Sequence, residues 1–147
     1  MHTGLAHPTD APSVANVTCT EITGRETVQV DRATLALEFA VRHNDEAKQR
    51  YKAGDIEEAE RLFKQAIRSD AGFVEPYSNL AVLYWQEGEI GAALYKLTEA
   101  LQIAPDEPDA VVNYGQICRE IGCNDVARQT FEAYLLAIPT LRKCGNC

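Results

Sequence analysis

The sequence predicts an all-α protein built from three helix-turn-helix hairpins that follow one another along the chain. Glycines recur at a constant interval of 34 residues, at Gly54, Gly88 and Gly122. Apolar side chains around each glycine recur at three- and four-residue steps, which is the period of one face of a helix. Prolines then end the second and third units, at Pro105 and Pro139. Together these intervals indicate two helices per unit.

The residues before the first unit lack this pattern. Residues 1–30 mix Pro, Thr, Gly and Val without a sustained helical period, so they are predicted to form a flexible N-terminal arm. From residue 31 onward the pattern is helical, and residues 31–41 contain Leu35, Leu37 and Phe39. This stretch is compatible with a helix that precedes the first repeat.

The repeat domain is predicted over residues 31–140. In its second unit, a stripe that includes Tyr77 and Leu80 predicts the first helix, and Gly88 ends that helix in the left-handed conformation that glycine tolerates. A second stripe, with Ala93 and Leu97, predicts the second helix. The predicted repeats cover about residues 40–73, 74–107 and 108–140, and a short tail follows at 141–147.

Small residues recur where the two helices of a unit are expected to approach most closely. Ala59, Ala93 and Ala127 occupy one column of the repeat, and Gly115 lies in the column expected to face it. We therefore expect Gly115 to contact Ala127, and a bulky residue at Ala93 to overpack the helix pair. Tyr134 replaces an alanine of the earlier units, which indicates that the stack ends there. Tyr134, Leu135 and Ile138 are then expected to be partly exposed, or covered by the N-terminal arm or by a second copy.

Composition and charge exclude several functions. The net charge is -8, which argues against binding to nucleic acid or to an anionic membrane, because both require a positive surface. The segment from Ala71 to Leu141 contains ten acidic but three basic residues, so its partner is expected to be basic or neutral. No apolar run reaches the ~18–20 residues of a membrane span, and the N-terminus lacks a secretory pattern. A cytoplasmic location is expected.

No cofactor, metal site or catalytic centre is predicted. Cys144 and Cys147 have the two-residue spacing of zinc and dithiol motifs, but a single pair supplies two of the four ligands of zinc. The pair is therefore interpreted as an incidental tail, with completion by a second copy or a partner left open. Cys118 falls on an apolar stripe and is expected in the core, whereas Cys123 falls in a turn. The chain is not expected to be an enzyme.

The 34-residue period, with Gly, Ala, aromatic and Pro residues at these positions, resembles the tetratricopeptide repeat. The resemblance is greatest in the second unit, where Tyr77, Leu80, Gly88, Ala93 and Pro105 match the family pattern. It implies a right-handed superhelical stack in which the first helix of each hairpin lines a concave groove. Members of the family receive a peptide or protein segment in that groove.

The resemblance also implies which side chains line the groove. They lie on the first helix of each unit: Asn44, Lys48, Tyr51 and Lys52; Glu75, Ser78, Asn79, Val82 and Trp85; and Asp109, Asn113, Gln116 and Arg119. Asn79 and Asn113 could clamp the backbone of an extended peptide, since one carboxamide both donates and accepts. The alternative is that such asparagines hydrogen-bond a neighbouring helix. Likewise Trp85 either contacts the ligand or packs between hairpins.

The leading hypothesis is an adaptor, scaffold or co-chaperone that binds a protein segment. Binding of chaperone C-terminal tails is argued against, because Asp109 stands where that specialisation has a basic residue and would repel a carboxylate. One alternative is a small homodimeric chaperone similar to those of type III secretion translocators, with residues 31–41 in the dimer. Another is the recognition module of an enzyme carried on a separate chain.

Overall fold

The computed structural model of the protein describes residues 16–20 and 27–138. A two-stranded antiparallel sheet comes first and six helices follow. The strands are β1 (Asn16–Thr20) and β2 (Thr27–Asp31), and the helices are α1 (Arg32–Lys52), α2 (Ile56–Ser69), α3 (Glu75–Gln86), α4 (Ile90–Ile103), α5 (Pro108–Glu120) and α6 (Asn124–Ala137). Among the helices of this described part, none combines the length and apolar character that a bilayer span requires.

The N-terminal strands differ from the predicted flexible arm. β1 pairs with β2 so that Val17 lies opposite Val30 and Cys19 opposite Val28. Apolar residues here alternate with polar ones, which is the two-residue period of a strand. A search for the helical period alone overlooks this alternation. The described part of residues 1–30 thus includes regular structure that the helical pattern does not predict, while the flexibility of the arm stays a prediction. The rest of that segment lies outside the described residues.

The helix expected before the first repeat is the N-terminal part of α1 itself. α1 runs for 21 residues without interruption, and neither Gly nor Pro occurs within it. Asp31 begins the helix, because its Oδ1 accepts a hydrogen bond from the Thr34 backbone N–H at 2.6 Å. The first hairpin therefore has a first helix longer than those of the other two hairpins.

The predicted turn glycines are confirmed. Gly54, Gly88 and Gly122 have φ values of +84°, +83° and +81°, in the left-handed region that residues with a Cβ atom rarely adopt. Each of them follows the first helix of a hairpin and precedes the second. The constant glycine interval thus reports a backbone requirement of the hairpin.

The hairpins pack in chain order. α1 contacts α2, α3 contacts α4 and α5 contacts α6, and the hairpins are joined by α2–α3 and α4–α5 contacts. The first helices also meet directly, α1 with α3 and α3 with α5. The small residues Ala59 and Ala93 are fully buried between helices, and Phe63 and Leu97 are buried beside them. The first helices therefore share one continuous surface.

The third hairpin packs less completely than the other two. A Cβ atom at Gly115 would lie 2.4 Å from Cζ of Phe131, so the ring of Phe131 lies directly beside this glycine. Ala127 is buried, and its expected contact with Gly115 stays a prediction. Tyr134 is half-buried, and Leu135 keeps 51% of its surface exposed. The partial exposure of Tyr134 that the sequence predicts is confirmed.

Candidate functional site

The predicted groove residues lie on the surface shared by α1, α3 and α5, which we call the inner wall. Its first half, between α1 and α3, comprises Val41, Asn44, Lys48, Tyr51, Lys52, Glu75, Ser78, Asn79 and Gln86. Its second half, between α3 and α5, comprises Val82, Trp85, Asp109, Val112, Asn113, Gln116, Arg119 and Glu120. Three side-chain hydrogen bonds join α1 to α3 and one joins α3 to α5. These bonds show that the side chains share one face.

Charged and hydroxyl side chains bridge the first half. Lys48 Nζ donates to Glu75 Oε1 at 2.8 Å and also lies 2.8 Å from Asp45 Oδ1. Further along α1, the Tyr51 hydroxyl donates to Oε1 of Gln86. Lys48 and Tyr51, both predicted ligand contacts, thus already have partners on the neighbouring hairpin. Lys52 is exposed at the end of α1.

A hydrogen-bonded pair of amide side chains also joins α1 to α3 in the first half. Asn79 Nδ2 donates to Asn44 Oδ1 at 3.0 Å. Asn44 is 1% exposed and Ser78 is 5% exposed, so the prediction that these two side chains line an open groove is wrong. They are buried because α1 and α3 approach closely along this column. For Asn79, the hydrogen bond to a neighbouring helix is the reading that the structure favours.

The electrostatics of the first half are favourable. Desolvation acts to raise the pKa of Glu75, but the Lys48 ammonium and the Asn44 and Asn79 amides together bring it below its ordinary value of 4.5. Hydrogen bonds to Asp45 and Glu75 raise the pKa of Lys48. The charges of the first half therefore stabilise one another across the hairpin boundary.

One polar bridge spans the second half. The indole Nε1 of Trp85 donates to Glu120 Oε2 at 2.9 Å. The Trp85 ring is half-buried and packs against the core cluster that includes Ala81 and Ile117. Trp85 thus joins adjacent hairpins, which is the alternative to direct ligand contact, while part of its surface stays accessible.

The remaining polar side chains of the second half are unpaired. Asp109, Gln116 and Arg119 are exposed and Asn113 is half-buried, and none of the four donates or accepts a side-chain hydrogen bond, or forms an ion pair, within residues 27–138. Apolar surface lies beside them at Val112, which is 45% exposed. An open cavity of about 570 Å³, lined by Gln116, Arg119, Glu120 and Asn124, continues this surface toward the α5–α6 turn.

The start of the second half is electrostatically strained. Burial raises the pKa of Glu107, and the negative charges of Asp109, Asp106 and Glu75 add to the rise. A cation that approaches this region would relieve that repulsion. The basic or neutral partner expected from the net charge stays a prediction.

The sequence pattern places the bridging residues on the wall but does not predict how they pair. Asn44–Asn79, Tyr51–Gln86 and Trp85–Glu120 are each 35 residues apart, one residue more than the repeat interval. Columns aligned at the repeat interval compare equivalent positions, whereas side chains that touch across a hairpin boundary are offset by one. Predicting that offset requires the relative positions of neighbouring helices, which the sequence columns alone do not contain. Cys144 and Cys147 lie outside the described residues.

Comparison with known proteins agrees with this architecture. Two family models, both described as tetratricopeptide repeat, match residues 44–108 and 84–141. No curated protein matches the chain.

Several solved structures are similar. The second TPR of Spaghetti (RPAP3), bound to the HSP90 peptide SRMEEVD, has a TM-score of 0.63 at 22% identity, covering 71% of this chain and 96% of that one. The first TPR of the same protein, bound to the same peptide, has a TM-score of 0.63 at 17% identity, covering 75% and 93%. MamA has a TM-score of 0.61 at 19% identity, covering 67% of this chain and 57% of its own. At these identities the similarity concerns the fold.

Proposed function

Because this chain belongs to the tetratricopeptide-repeat family, we propose that it is an adaptor that binds a segment of another protein along the second half of its inner wall. The family is an interaction module rather than a catalytic one. One observation carries the proposal: in the first half of the wall, Lys48, Tyr51 and Asn79 form side-chain hydrogen bonds between hairpins, and the polar atoms that stay unpaired there, Asn44 Nδ2 and Ser78 Oγ, are buried. In the second half the accessible side chains of Asp109, Asn113, Gln116 and Arg119 have no such partner within residues 27–138.

The free groups suit an extended peptide. The carboxamides of Asn113 and Gln116 lie three residues apart on α5 and thus on one helix face. Each can donate to a peptide carbonyl and accept from a peptide N–H. Val112 and Val82 offer apolar contact beside them, and Asp109 offers a negative charge at the start of α5. The expected ligand is a basic or neutral segment with a small apolar side chain.

An acidic C-terminal tail is not the expected ligand. Two similar structures are described with the HSP90 peptide SRMEEVD bound, which ends in acidic residues and a carboxylate. In this chain Lys48 is engaged by Asp45 and Glu75, and Asn79 is engaged by Asn44. Asp109 would repel such a tail. The wall therefore supports a different ligand preference from that of those two proteins.

Selection from a peptide display library tests the proposal. Peptides retained by the full chain would be sequenced, and their affinities measured by calorimetry for the unmodified protein and for an Asn113→Ala, Gln116→Ala variant. We expect the variant to bind about tenfold more weakly, since each neutral hydrogen bond contributes ~0.5–1.5 kcal/mol. Gln129→Ala, which removes an exposed amide of α6, is the matched control and should bind normally. Equal affinity for all three proteins would refute the assignment.

One alternative function has an observation in its favour. The N-terminal turns of α1 expose Leu37, Phe39 and Val41 at 42%, 45% and 37%. A homodimeric chaperone of secreted or membrane-active clients would use this apolar segment in its dimer. Light scattering of the full chain and of a Leu37→Ser, Phe39→Ser variant distinguishes the two functions. A dimer that the variant dissociates favours the chaperone, and a monomer in both cases favours the adaptor.

A further inference from the structure

Two cysteines flank the turn between α5 and α6. The backbone N–H of Cys123 donates to the carbonyl of Cys118 at 2.7 Å, and that of Gly122 donates to the carbonyl of Arg119 at 3.1 Å. These two bonds, with the positive φ of Gly122, define a Schellman motif at the end of a helix. In this motif the side chains at the positions of Cys118 and Cys123 commonly contact each other. The turn therefore brings the two cysteines together at the end of α5, close enough for Cys123 to influence the Cys118 thiol electrostatically.

The hairpin fold does not require cysteine at these two positions. The first hairpin makes the same bond between Asp55 and Arg50 at 2.9 Å, and the second makes it between Glu89 and Tyr84 at 2.8 Å. The same turn thus forms with Arg and Asp at these positions in the first hairpin, and with Tyr and Glu in the second. The cysteine pair of the third hairpin is a property of this sequence and not a demand of the repeat.

The two thiols also differ in ways that suit a stepwise reaction. Cys118 is buried and Cys123 is exposed. Burial raises the pKa of Cys118, and the adjacent Cys123 adds to that rise. An external reagent therefore reaches Cys123 first, and Cys118 can react afterwards from within the fold, across the turn that joins the two residues.

We propose that Cys118 and Cys123 form a reversible disulfide across the α5–α6 turn when the protein meets a low-molecular-weight disulfide such as oxidised glutathione. The Cys123 thiol gives its proton to water, and its thiolate attacks one sulfur of the reagent. The reagent S–S bond breaks, a mixed disulfide forms on Cys123, and one glutathione thiolate leaves and is protonated. Cys118 then loses its proton and attacks Cys123 Sγ, which releases the second glutathione. Two protein thiols are oxidised and one reagent disulfide is reduced.

The bond would stabilise the third hairpin, formed by α5 and α6. Ala127 is the one buried residue of α6, so the third hairpin has less core than the others. A link between the end of α5 and the start of α6 restrains both helices in the unfolded chain. Because this chemistry does not depend on a peptide ligand, a negative result for the disulfide would leave the proposed adaptor function unaffected, and the reverse also holds.

Mass spectrometry of the full chain tests the proposal. A Cys19→Ser, Cys144→Ser, Cys147→Ser background leaves Cys118 and Cys123 as the two thiols. After incubation with oxidised glutathione, the folded protein should lose the mass of two hydrogen atoms and carry no glutathione. Trypsin cleaves after Arg119, between the two cysteines, so the disulfide should appear as two peptides joined to each other and separated by reductant. The thermal midpoint of the oxidised form should rise by ~5 °C.

Cys118→Ala in the same background is the matched control. Circular dichroism would verify that the variant is folded, and oxidised glutathione should then leave a stable mixed disulfide on Cys123. The proposal is overturned if the protein with both cysteines accumulates that mixed disulfide to the same extent as the control. It is also overturned if the two tryptic peptides are never found joined.

Discussion

The two halves of the inner wall use similar side chains in opposite ways. In the first half, Lys48 is paired with Glu75 and Tyr51 with Gln86. In the second half, Trp85–Glu120 is the one hydrogen-bonded side-chain bridge between α3 and α5 within the described residues. Asp109, Asn113, Gln116 and Arg119 of α5 have no side-chain hydrogen-bond partner within residues 27–138. The comparison teaches that a position on the wall does not decide availability. The side chain that lies opposite it on the next hairpin decides it.

The electrostatics of the two halves differ in the same direction. Glu75 is held as a carboxylate by cationic and amide donors, whereas Glu107, at the start of the second half, faces other carboxylates. Polar groups that are paired across a hairpin boundary rigidify the surface they occupy. The paired residues of the first half thus act as a structural joint, and the unpaired atoms there, Asn44 Nδ2 and Ser78 Oγ, are buried. The second half keeps its unused hydrogen-bonding capacity on accessible side chains.

The largest expected effect comes from overpacking the helix contact beneath the second half. Gly115→Ala would place a Cβ atom 2.4 Å from the Phe131 ring, so the free energy of unfolding should fall by ~1–3 kcal/mol. Gly91→Ala, where a Cβ atom would meet open space, should leave the protein equally stable or more stable by up to ~1 kcal/mol. Urea denaturation followed by circular dichroism measures both. Equal stability of the two variants would contradict the close packing at Gly115.

The next effect separates the halves by affinity. Lys48→Ala should destabilise the protein by about 0.5 kcal/mol or less, because its ion pairs are partly exposed, and should leave affinity for a selected peptide within about twofold. Arg119→Ala should weaken the same peptide by about tenfold if the peptide accepts a hydrogen bond there. Calorimetry with one peptide and both variants makes the comparison. A greater loss for Lys48→Ala would reverse the roles of the two halves.

A smaller effect concerns the single bridge of the second half. Trp85→Phe keeps an aromatic ring and removes the donor to Glu120, so the free energy of unfolding should fall by ~0.5–1.5 kcal/mol. Because Trp85 is the one tryptophan of the sequence, its emission reports on this bridge directly. Glu120→Gln, which keeps an acceptor, should change both stability and emission less than Glu120→Ala. Identical behaviour of the two Glu120 variants would show that the bridge is weak in solution.

The smallest effect is on the pH dependence of stability. The pKa of Glu75 is lowered from 4.5 in the folded state, so its contribution is present above that pH and is lost as pH falls through the lowered value. Glu75→Gln should destabilise at pH 7 by about 0.5 kcal/mol or less and have no effect in acid.

The pKa of Glu107 moves the opposite way, upward from 4.5. Its cost is present above the raised value and disappears as pH falls below 4.5, so Glu107→Gln should leave stability at pH 7 unchanged or slightly higher. Thermal unfolding between pH 3 and pH 7 compares the two substitutions. The same sign for both at neutral pH would contradict the electrostatic contrast.

Much of the fold is readable from the sequence because backbone requirements repeat with it. Gly54, Gly88 and Gly122 mark left-handed turns that few other residues tolerate, and the columns of Ala59 and Ala93 mark close helix contacts. The strands of residues 16–20 and 27–31 were missed because their short alternating pattern is weak beside the helical one. Phe131 beside Gly115 was missed because size complementarity between columns depends on side-chain direction.

The sequence predicts where the candidate site lies, but it does not predict which of its side chains are free to bind a ligand. The repeat pattern identifies α1, α3 and α5 as the helices that form the wall. It does not show that Asn44 is buried or that Asn79 is already hydrogen-bonded, because such pairs depend on the lateral offset between neighbouring helices. Burial and pairing are properties of two hairpins together, whereas a column describes one position at a time.

Photo-crosslinking tests most directly whether the ligand lies on the second half. A photoreactive phenylalanine would replace either Val41 of α1 or Val112 of α5, two valines with similar exposure of 37% and 45%. With a peptide selected by the unmodified protein, the probe at position 112 should crosslink and the probe at position 41 should not. A crosslink from position 41 with none from position 112 would contradict the account.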